Sequence, residues 1–251
     1  MAKVRLDRLL CDRALAGSRE RARALIMAGQ VLVGDHVADK AGLMVAEDAA
    51  VRLRGEDIPW VSRGGVKLAH ALAHFGLAVG GKVALDAGAS TGGFTDVLLQ
   101  GGAARVYSVD VGYGQLAWSL RQDPRVVVME RQNLRYLERS AIPEPLDLGV
   151  ADLSFISLTL VLEKLGELLG PGRPLVTLIK PQFEVGKGEV DKGGVVKSPE
   201  KRQAAVDKVC EFARAHGFTV VGVVESPITG PAGNVEYLAL FTTGAAAGES
   251  G

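Results

Sequence analysis

The sequence predicts an α/β protein, an open sheet with helices on both faces, preceded by a small α+β domain. Three observations predict it. From about Ser62 onward, apolar strand-like runs alternate with helical patterns. A glycine-rich turn joins the first of those strands to the next helix. Ahead of Pro59-Trp60 the pattern differs, with two short helices followed by short strands. The length, 251 residues, suits one medium and one small domain. Hydrophobic residues make up 47% and charged residues 23%, the profile of a soluble globular chain. No apolar run approaches the roughly 20 residues that span a bilayer. The opening Met1-Ala2-Lys3-Val4-Arg5 carries no apolar signal core, so a cytoplasmic location is expected. Cys11 and Cys210 lie far apart and argue for neither a disulfide nor a metal site.

In the N-terminal segment, Leu6, Leu9, Leu10 and Ala14 recur at helical spacing, and Gly17 stops that helix. Ser18 is an N-cap for a second helix with Ala22, Leu25 and Ile26 on its apolar face, closed by Gly29. Residues 31–33 and 51–53 read as strands, with Gly34-Asp35 as a turn. The formal net charge of the chain is zero, yet residues 1–23 hold seven basic residues against three acidic ones, a local +4. Such a patch can bind phosphate on an otherwise neutral molecule. A solvated helical face explains the same charges equally well.

Beyond the linker, strands are expected at 82–87, 105–110, 126–129, 146–151, 175–179, 219–224 and 237–241. Helices are expected at 66–77, 94–100, 115–120, 157–168 and 199–216. The Gly/Ala/Ser-rich tail 244–251 reads as disordered.

The first of these strands runs into Asp86-Ala87-Gly88-Ala89-Ser90-Thr91-Gly92-Gly93-Phe94. Glycines let a backbone approach a ligand, and a helix start offers free N–H groups. Open α/β sheets bind ligands at this edge. The dinucleotide fingerprint G-x-G-x-x-G is absent, since Gly88 and Gly92-Gly93 are spaced G-x-x-x-G-G. Asp110 ends the next strand, where an acid accepts hydrogen bonds from ribose hydroxyls. Asp110 alone does not separate NAD from S-adenosylmethionine; the glycine spacing favours the latter. Asn133, after the third strand, is placed to face an adenine. Phe155 packs beside the cofactor or target base, or in the core.

Four polar residues stand at telling places. Lys67 lies near the start of the helix before the first strand, Asp152 follows the strand 146–151, Lys180 ends the strand 175–179, and Glu236 enters the last strand. In a parallel sheet Asp152 and Lys180 reach the same edge as the glycine loop. A ribose 2′-hydroxyl is a weak nucleophile, and a lysine between carboxylates can orient it and accept its proton. A sulfonium carries its own positive charge, so positioning and proton removal carry most of such a transfer. Desolvation and the sulfonium lower the Lys180 pKa while the carboxylates raise it, so the net shift is not legible.

Lys67, Asp152, Lys180 and Glu236 resemble, in order and placement, the Lys-Asp-Lys-Glu set of the FtsJ-like 2′-O-methyltransferases. The surroundings Ser62-Arg63-Gly64-Gly65-Val66-Lys67-Leu68, Asp152-Leu153-Ser154-Phe155, Ile179-Lys180-Pro181-Gln182-Phe183-Glu184 and Gly233-Asn234-Val235-Glu236-Tyr237 are similar to one branch, the TlyA or hemolysin A family. The resemblance covers residues 3–242. It implies a Rossmann-like class I methyltransferase domain at 60–243 and an S-four-type RNA-binding domain at 1–59. It implies methyl transfer from S-adenosylmethionine to the 2′-hydroxyl of cytidine in ribosomal RNA, with rRNA or ribosomal subunits as partner and no metal. The catalytic set is then Lys67, Asp152, Lys180 and Glu236. The cofactor set is Asp86, Gly88, Ala89, Ser90, Thr91, Gly92, Gly93, Phe94, Asp110, Asn133, Asp152 and Phe155. Arg5, Arg19, Arg23 and Arg63 are the candidate RNA contacts. The family's interdomain linker corresponds to Ile58-Pro59-Trp60-Val61. Its first position is commonly basic, and Ile58 departs from that.

Three rivals are weaker. A nicotinamide-dependent oxidoreductase conflicts with the glycine spacing. A non-catalytic ribosome-assembly protein has no need of the intact polar set. A membrane-lytic protein calls for a spanning stretch or a strongly amphipathic basic helix, neither of which is found, and 5% aromatic content is low for it.

Overall fold

The computed structural model describes residues 3–27, 29–34, 36–53, 58–186, 188–191 and 193–244. The chain divides into two compact units, Met1–Ser62 and Arg63–Gly251.

The smaller unit carries β1 (Lys3–Arg5), α1 (Leu6–Asp12), α2 (Arg19–Met27), β2 (Val31–Val33), β3 (His36–Ala38), β4 (Met44–Ala46) and β5 (Val51–Leu53). β1 pairs antiparallel with β4, and β2 lies between β3 and β5, antiparallel to both. The apolar residues at helical spacing do face inward: Leu6, Leu9, Leu10, Ala22, Leu25 and Ile26 are all buried in one core. Ala14 is the exception. The helix ends at Asp12, and Ala14 is exposed with φ +55°, so the chain turns before Gly17 rather than at it. The Ser18 hydroxyl accepts from the Arg21 N–H at 3.1 Å, capping α2 as expected. Asp35 of the expected turn lies outside the described residues, as does the tail from residue 245.

The larger unit carries α3 (Gly64–Phe75), β6 (Val83–Ala87), α4 (Gly93–Gln100), β7 (Arg105–Val109), α5 (Trp118–Arg121), β8 (Val126–Met129), β9 (Leu148–Ala151), α6 (Leu162–Leu169), β10 (Pro174–Ile179), α7 (Pro181–Glu184), α8 (Pro199–Ala215), β11 (Thr219–Glu225) and β12 (Tyr237–Thr242). Seven strands form one sheet in the order β11-β12-β10-β9-β6-β7-β8. All neighbours from β10 to β8 are parallel, and β12 runs antiparallel to both β10 and β11. Strand order reverses at β6, which places the switch point, and hence the ligand crevice, between the loops after β6 and β9.

The sheet is covered on both faces. Leu85, Tyr107, Ala151, Leu175 and Phe241 join the buried residues of α6 and α8 in one core. Their strand neighbours Ala84, Val106, Val150, Val176 and Leu240 are equally buried but point the other way, where α3 and α4 pack. The expected helix 115–120 is only the single turn α5, and the expected helix 157–168 opens with a 3₁₀ turn, Leu158–Leu160, before α6. Gly76, left-handed at φ +64°, caps α3 after Phe75, two residues short of the expected 77.

Candidate active site

Position in the fold explains how four distant residues reach one edge of the sheet. β9 and β10 are parallel neighbours in register from Leu175 against Gly149, so Asp152 and Lys180 emerge side by side from their carboxyl ends. Glu236 arrives from the opposite direction. Because β12 is antiparallel to β10, with Tyr237 opposite Ile179, the residue that enters β12 lies beside the end of β10.

The four residues form two ion pairs. The Lys180 ammonium lies 2.6 Å from Asp152 Oδ1 and donates to the Ser154 hydroxyl at 2.8 Å. The Lys67 ammonium donates to Glu236 Oε2 at 2.5 Å, with both residues buried. The second pair is sheltered by small residues: a Cβ on Gly230 would collide with Glu236 Oε1. Asn234 holds the approach to Glu236, accepting from the Val196 N–H at 2.9 Å and donating to the Gly194 carbonyl at 2.8 Å.

A cavity of about 450 Å³ opens beside Asp152, within the usual range for small-molecule sites. Its wall includes Gly88, Ser90, Asp110, Asn133, Asp152 and Phe155. Gly88 has φ +86°, and a Cβ there would sit 2.5 Å from the Asp152 carbonyl oxygen. Only glycine lets the loop after β6 pass this close to the chain after β9. Asp110 ties the same loop to β7, accepting from the Ser90 N–H at 2.8 Å and the Gly112 N–H at 2.6 Å. Asn133 Oδ1 accepts from the Arg135 N–H at 3.1 Å, so the amide NH₂ is the group it can offer a ligand.

The remaining candidate cofactor residues do not line the cavity. Thr91 is exposed, while Ala89, Gly92, Gly93 and Phe94 are buried behind the loop and start α4. Asp86 is wholly buried. Its Oδ2 accepts from the Thr95 hydroxyl at 2.6 Å, and Thr95 in turn meets the Ser108 hydroxyl at 2.8 Å. Asp86 Oδ1 has no hydrogen-bond partner among the described residues. Burial pushes this carboxyl up to about 7, resisted by the Thr95 hydrogen bond and assisted by the charges of Asp152 and Asp110.

Phe155 is not a core residue: it is 91% exposed, with φ +63°, and its ring lies 5.2 Å from that of Phe183. The loop that bears it is fastened by a residue to which the sequence assigns no role, Glu184 of α7. This buried carboxylate accepts from the Ser157 hydroxyl at 2.5 Å and the Leu158 N–H at 2.7 Å. Burial raises its pKa. Ser154 is a second such residue, although its place two residues after Asp152 is a usable signal.

In the smaller unit, the candidate RNA contacts Arg5, Arg19 and Arg23 converge on Asp7, whose side chain is fully buried. Arg63, before α3, donates to the Thr229 carbonyl at 3.1 Å.

The profile of the FtsJ-like methyltransferases matches residues 60–243, and that of the S4 domain matches residues 4–51. The 16S/23S rRNA (cytidine-2′-O)-methyltransferase TlyA of Mycobacterium tuberculosis is 51% identical over 96% of this chain and 90% of that protein. The chain belongs to the TlyA family of FtsJ-like methyltransferases. Hemolysin A of Brachyspira hyodysenteriae is 40% identical over 95% of this chain and 99% of its own. The TlyA-family likeness extends to a solved structure, a hemolysin candidate from Streptococcus thermophilus. It is 43% identical, with a TM-score of 0.76, over 97% of this chain and 90% of that one.

Proposed function

We propose that this protein transfers the methyl group of S-adenosylmethionine to the ribose 2′-hydroxyl of a cytidine in ribosomal RNA. The observation that carries the reading is the Lys180–Asp152–Ser154 cluster at the rim of the cavity built on the glycine loop. It stands in a chain half identical to an enzyme named for that reaction.

The donor set fits S-adenosylmethionine. Gly88 offers a close backbone approach, Asp110 an acceptor for ribose hydroxyls, Asn133 an amide, and Asp152 a carboxylate suited to a cationic ligand. When bound, the cofactor supplies a methyl group on a positively charged sulfur. The chain's part is to place the nucleophile and take its proton. Lys180 is held by Asp152 and Ser154, which fix its ammonium at the rim. There the ammonium orients the 2′-hydroxyl, and the neutral amine left once it has given its own proton to solvent takes up the hydroxyl proton as the methyl moves from sulfur to oxygen. The buried Lys67–Glu236 pair ties α3 to the start of β12, the strand that lies beside the end of β10. The exposed Phe155, beside Phe183, offers a face on which an unstacked base can lie. The Arg-rich N-terminal unit supplies RNA affinity. Among the described residues no helix is long and apolar enough to cross a membrane, and no three His, Cys, Asp or Glu side chains gather as a metal site.

The test is direct. Labelled S-adenosylmethionine is incubated with the protein and separated, unmodified ribosomal subunits, and the labelled nucleotide is mapped. Label is expected on a cytidine ribose. Lys180→Ala should slow single-turnover methyl transfer by about 10²–10⁴ while S-adenosylmethionine still binds. Lys180→Arg should fail nearly as badly, because arginine stays protonated and its planar fork differs in shape. A near-normal single-turnover rate in Lys180→Ala would remove the lysine from the chemistry.

A further inference from the structure

In the smaller unit, one buried acid gathers three cations that come from two elements. Arg5 ends β1, and Arg19 and Arg23 lie on α2 one turn apart. Asp7, in the first turn of α1, has no exposed side-chain surface. Arg5 grips it with two bonds, Nε to Oδ1 at 3.0 Å and Nη2 to Oδ2 at 2.9 Å. Arg19 Nη2 and Arg23 Nε each donate to Oδ2 at 3.2 Å. The three arginine side chains remain about half exposed, at 44%, 54% and 54%. A carboxylate of charge −1 among three charges of +1 leaves a local excess of +2. The arginines hold the Asp7 carboxyl well below the usual carboxylate range, Arg5 contributing most, so the acid is ionised at any working pH.

Three other arginines of this unit have different contacts. Arg13 donates to the carbonyls of Ala49 and Glu47. Arg21 donates to those of Trp60 and Ile58. Arg8 pairs with Asp12 one turn away. The Asp7 cluster therefore differs in kind: its forks meet one internal oxygen pair and keep most of their N–H donors for the outside. Arginine side chains carry about 2 kcal/mol of rotamer entropy each, and fixing them beforehand lowers the cost of binding a partner.

We propose that Asp7 is the positioning residue of an RNA phosphodiester site, its buried carboxylate fixing Arg5, Arg19 and Arg23 as a single preformed anion clamp. The proposal rests on the RNA substrate proposed above. It makes an unusual demand of an acidic residue in a basic patch. By net charge alone, Asp7→Asn adds one positive charge and should tighten RNA binding. By positioning, the same change frees the three forks and should weaken it.

The experiment is a salt titration of binding to unmodified rRNA transcripts by the full chain and by its Asp7→Asn and Asp7→Glu variants, with thermal melts to establish folding. Asp7→Asn should lose roughly tenfold in affinity, and its log–log salt slope should become shallower by about one to two phosphate contacts. The loss should appear in KM for rRNA rather than in kcat. Asp7→Glu, which keeps the charge, should recover part of it. A folded Asp7→Asn that binds rRNA as tightly as the parent, or more tightly, overturns the proposal. Should Asp7→Asn fail to fold, the exposed arginines decide. Arg19 and Arg23 share one oxygen, so the losses of Arg19→Lys and Arg23→Lys must be non-additive in the double variant, and strict additivity overturns the proposal. Absence of methyl transfer to rRNA by the unaltered protein would strike at the enzymatic assignment, whereas these binding titrations strike only at the clamp.

Discussion

The two ion pairs of the site differ in their carboxylates, Glu236 being 1% and Asp152 22% exposed. Lys67 and Glu236 are both buried and face each other, so removing one leaves a charge without solvent or partner. Glu236→Ala should cost roughly 3–5 kcal/mol of stability, measured by denaturant unfolding, before any effect on chemistry is counted. Lys180→Ala leaves the unpaired Asp152 facing the cavity, so it should cost rate with a smaller stability loss than Glu236→Ala. Equal stability losses in the two variants would refute the division. Asp86 gives a second residue-level expectation, with a definite sign. Its folded pKa of about 7 lies above the unfolded value of 3.8, so the folded state holds more protons between those limits. Its neutral form stabilises the fold only at low pH, and stability falls as pH rises from about 4 towards 7. Asp86→Asn keeps an acceptor for Thr95 and removes the titration. It should flatten that part of the stability profile. It should also raise stability at neutral pH by roughly 2–4 kcal/mol, since each tenfold change in proton affinity is worth about 1.36 kcal/mol. A profile that keeps its slope in the variant would assign the titration to another group.

At the scale of elements, the site depends on how closely two loops approach. Gly88→Ala puts a Cβ against the Asp152 carbonyl at a positive φ. The backbone of one loop must then shift, at about 1–3 kcal/mol, and calorimetry should find weaker S-adenosylmethionine binding. Unchanged affinity would mean that this crossing does not shape the cofactor site. The glycine spacing makes this loop legible, and the alternation of apolar runs and helices makes most of the seven-stranded sheet legible. Of the three-residue strands, β2 and β5 are legible at 31–33 and 51–53, whereas β1, β3 and β4, equally short, are not. The single turn of α5 reads as the longer helix 115–120, because a helical spacing of apolar residues does not reveal where the chain is still looping after Gly112 and Gly114. Lys67, Asp152, Lys180 and Glu236 are legible from their placement at the ends of elements in the sheet pattern. Glu184 and Asp7 are not. Each acts through residues distant in sequence, and a simple tally of charges enters Asp7 only as an offset to its arginines.

For the whole molecule, the proposed function assigns affinity to one of the two units and chemistry to the other. The buried cluster on the α6 and α8 face of the larger unit is built from residues of that unit's strands, helices and loops. Deleting residues 1–58 should leave S-adenosylmethionine affinity largely intact by calorimetry, while binding to ribosomal subunits weakens and loses much of its salt dependence. Undiminished subunit binding after the deletion would rule out the N-terminal unit as the source of affinity. The position of β12 has another consequence. The last strand does not add to the border of the sheet; it slots between β10 and β11 and pairs with both. Lys67 consequently waits for a partner 169 positions further along the chain. A product cut short by premature termination or proteolysis before Asn234 would leave β10 and β11 with open edges that invite aggregation. It would also lack Glu236. Closure of the sheet and completion of the Lys67–Glu236 pair thus hang on the same strand, so a truncated copy loses both together.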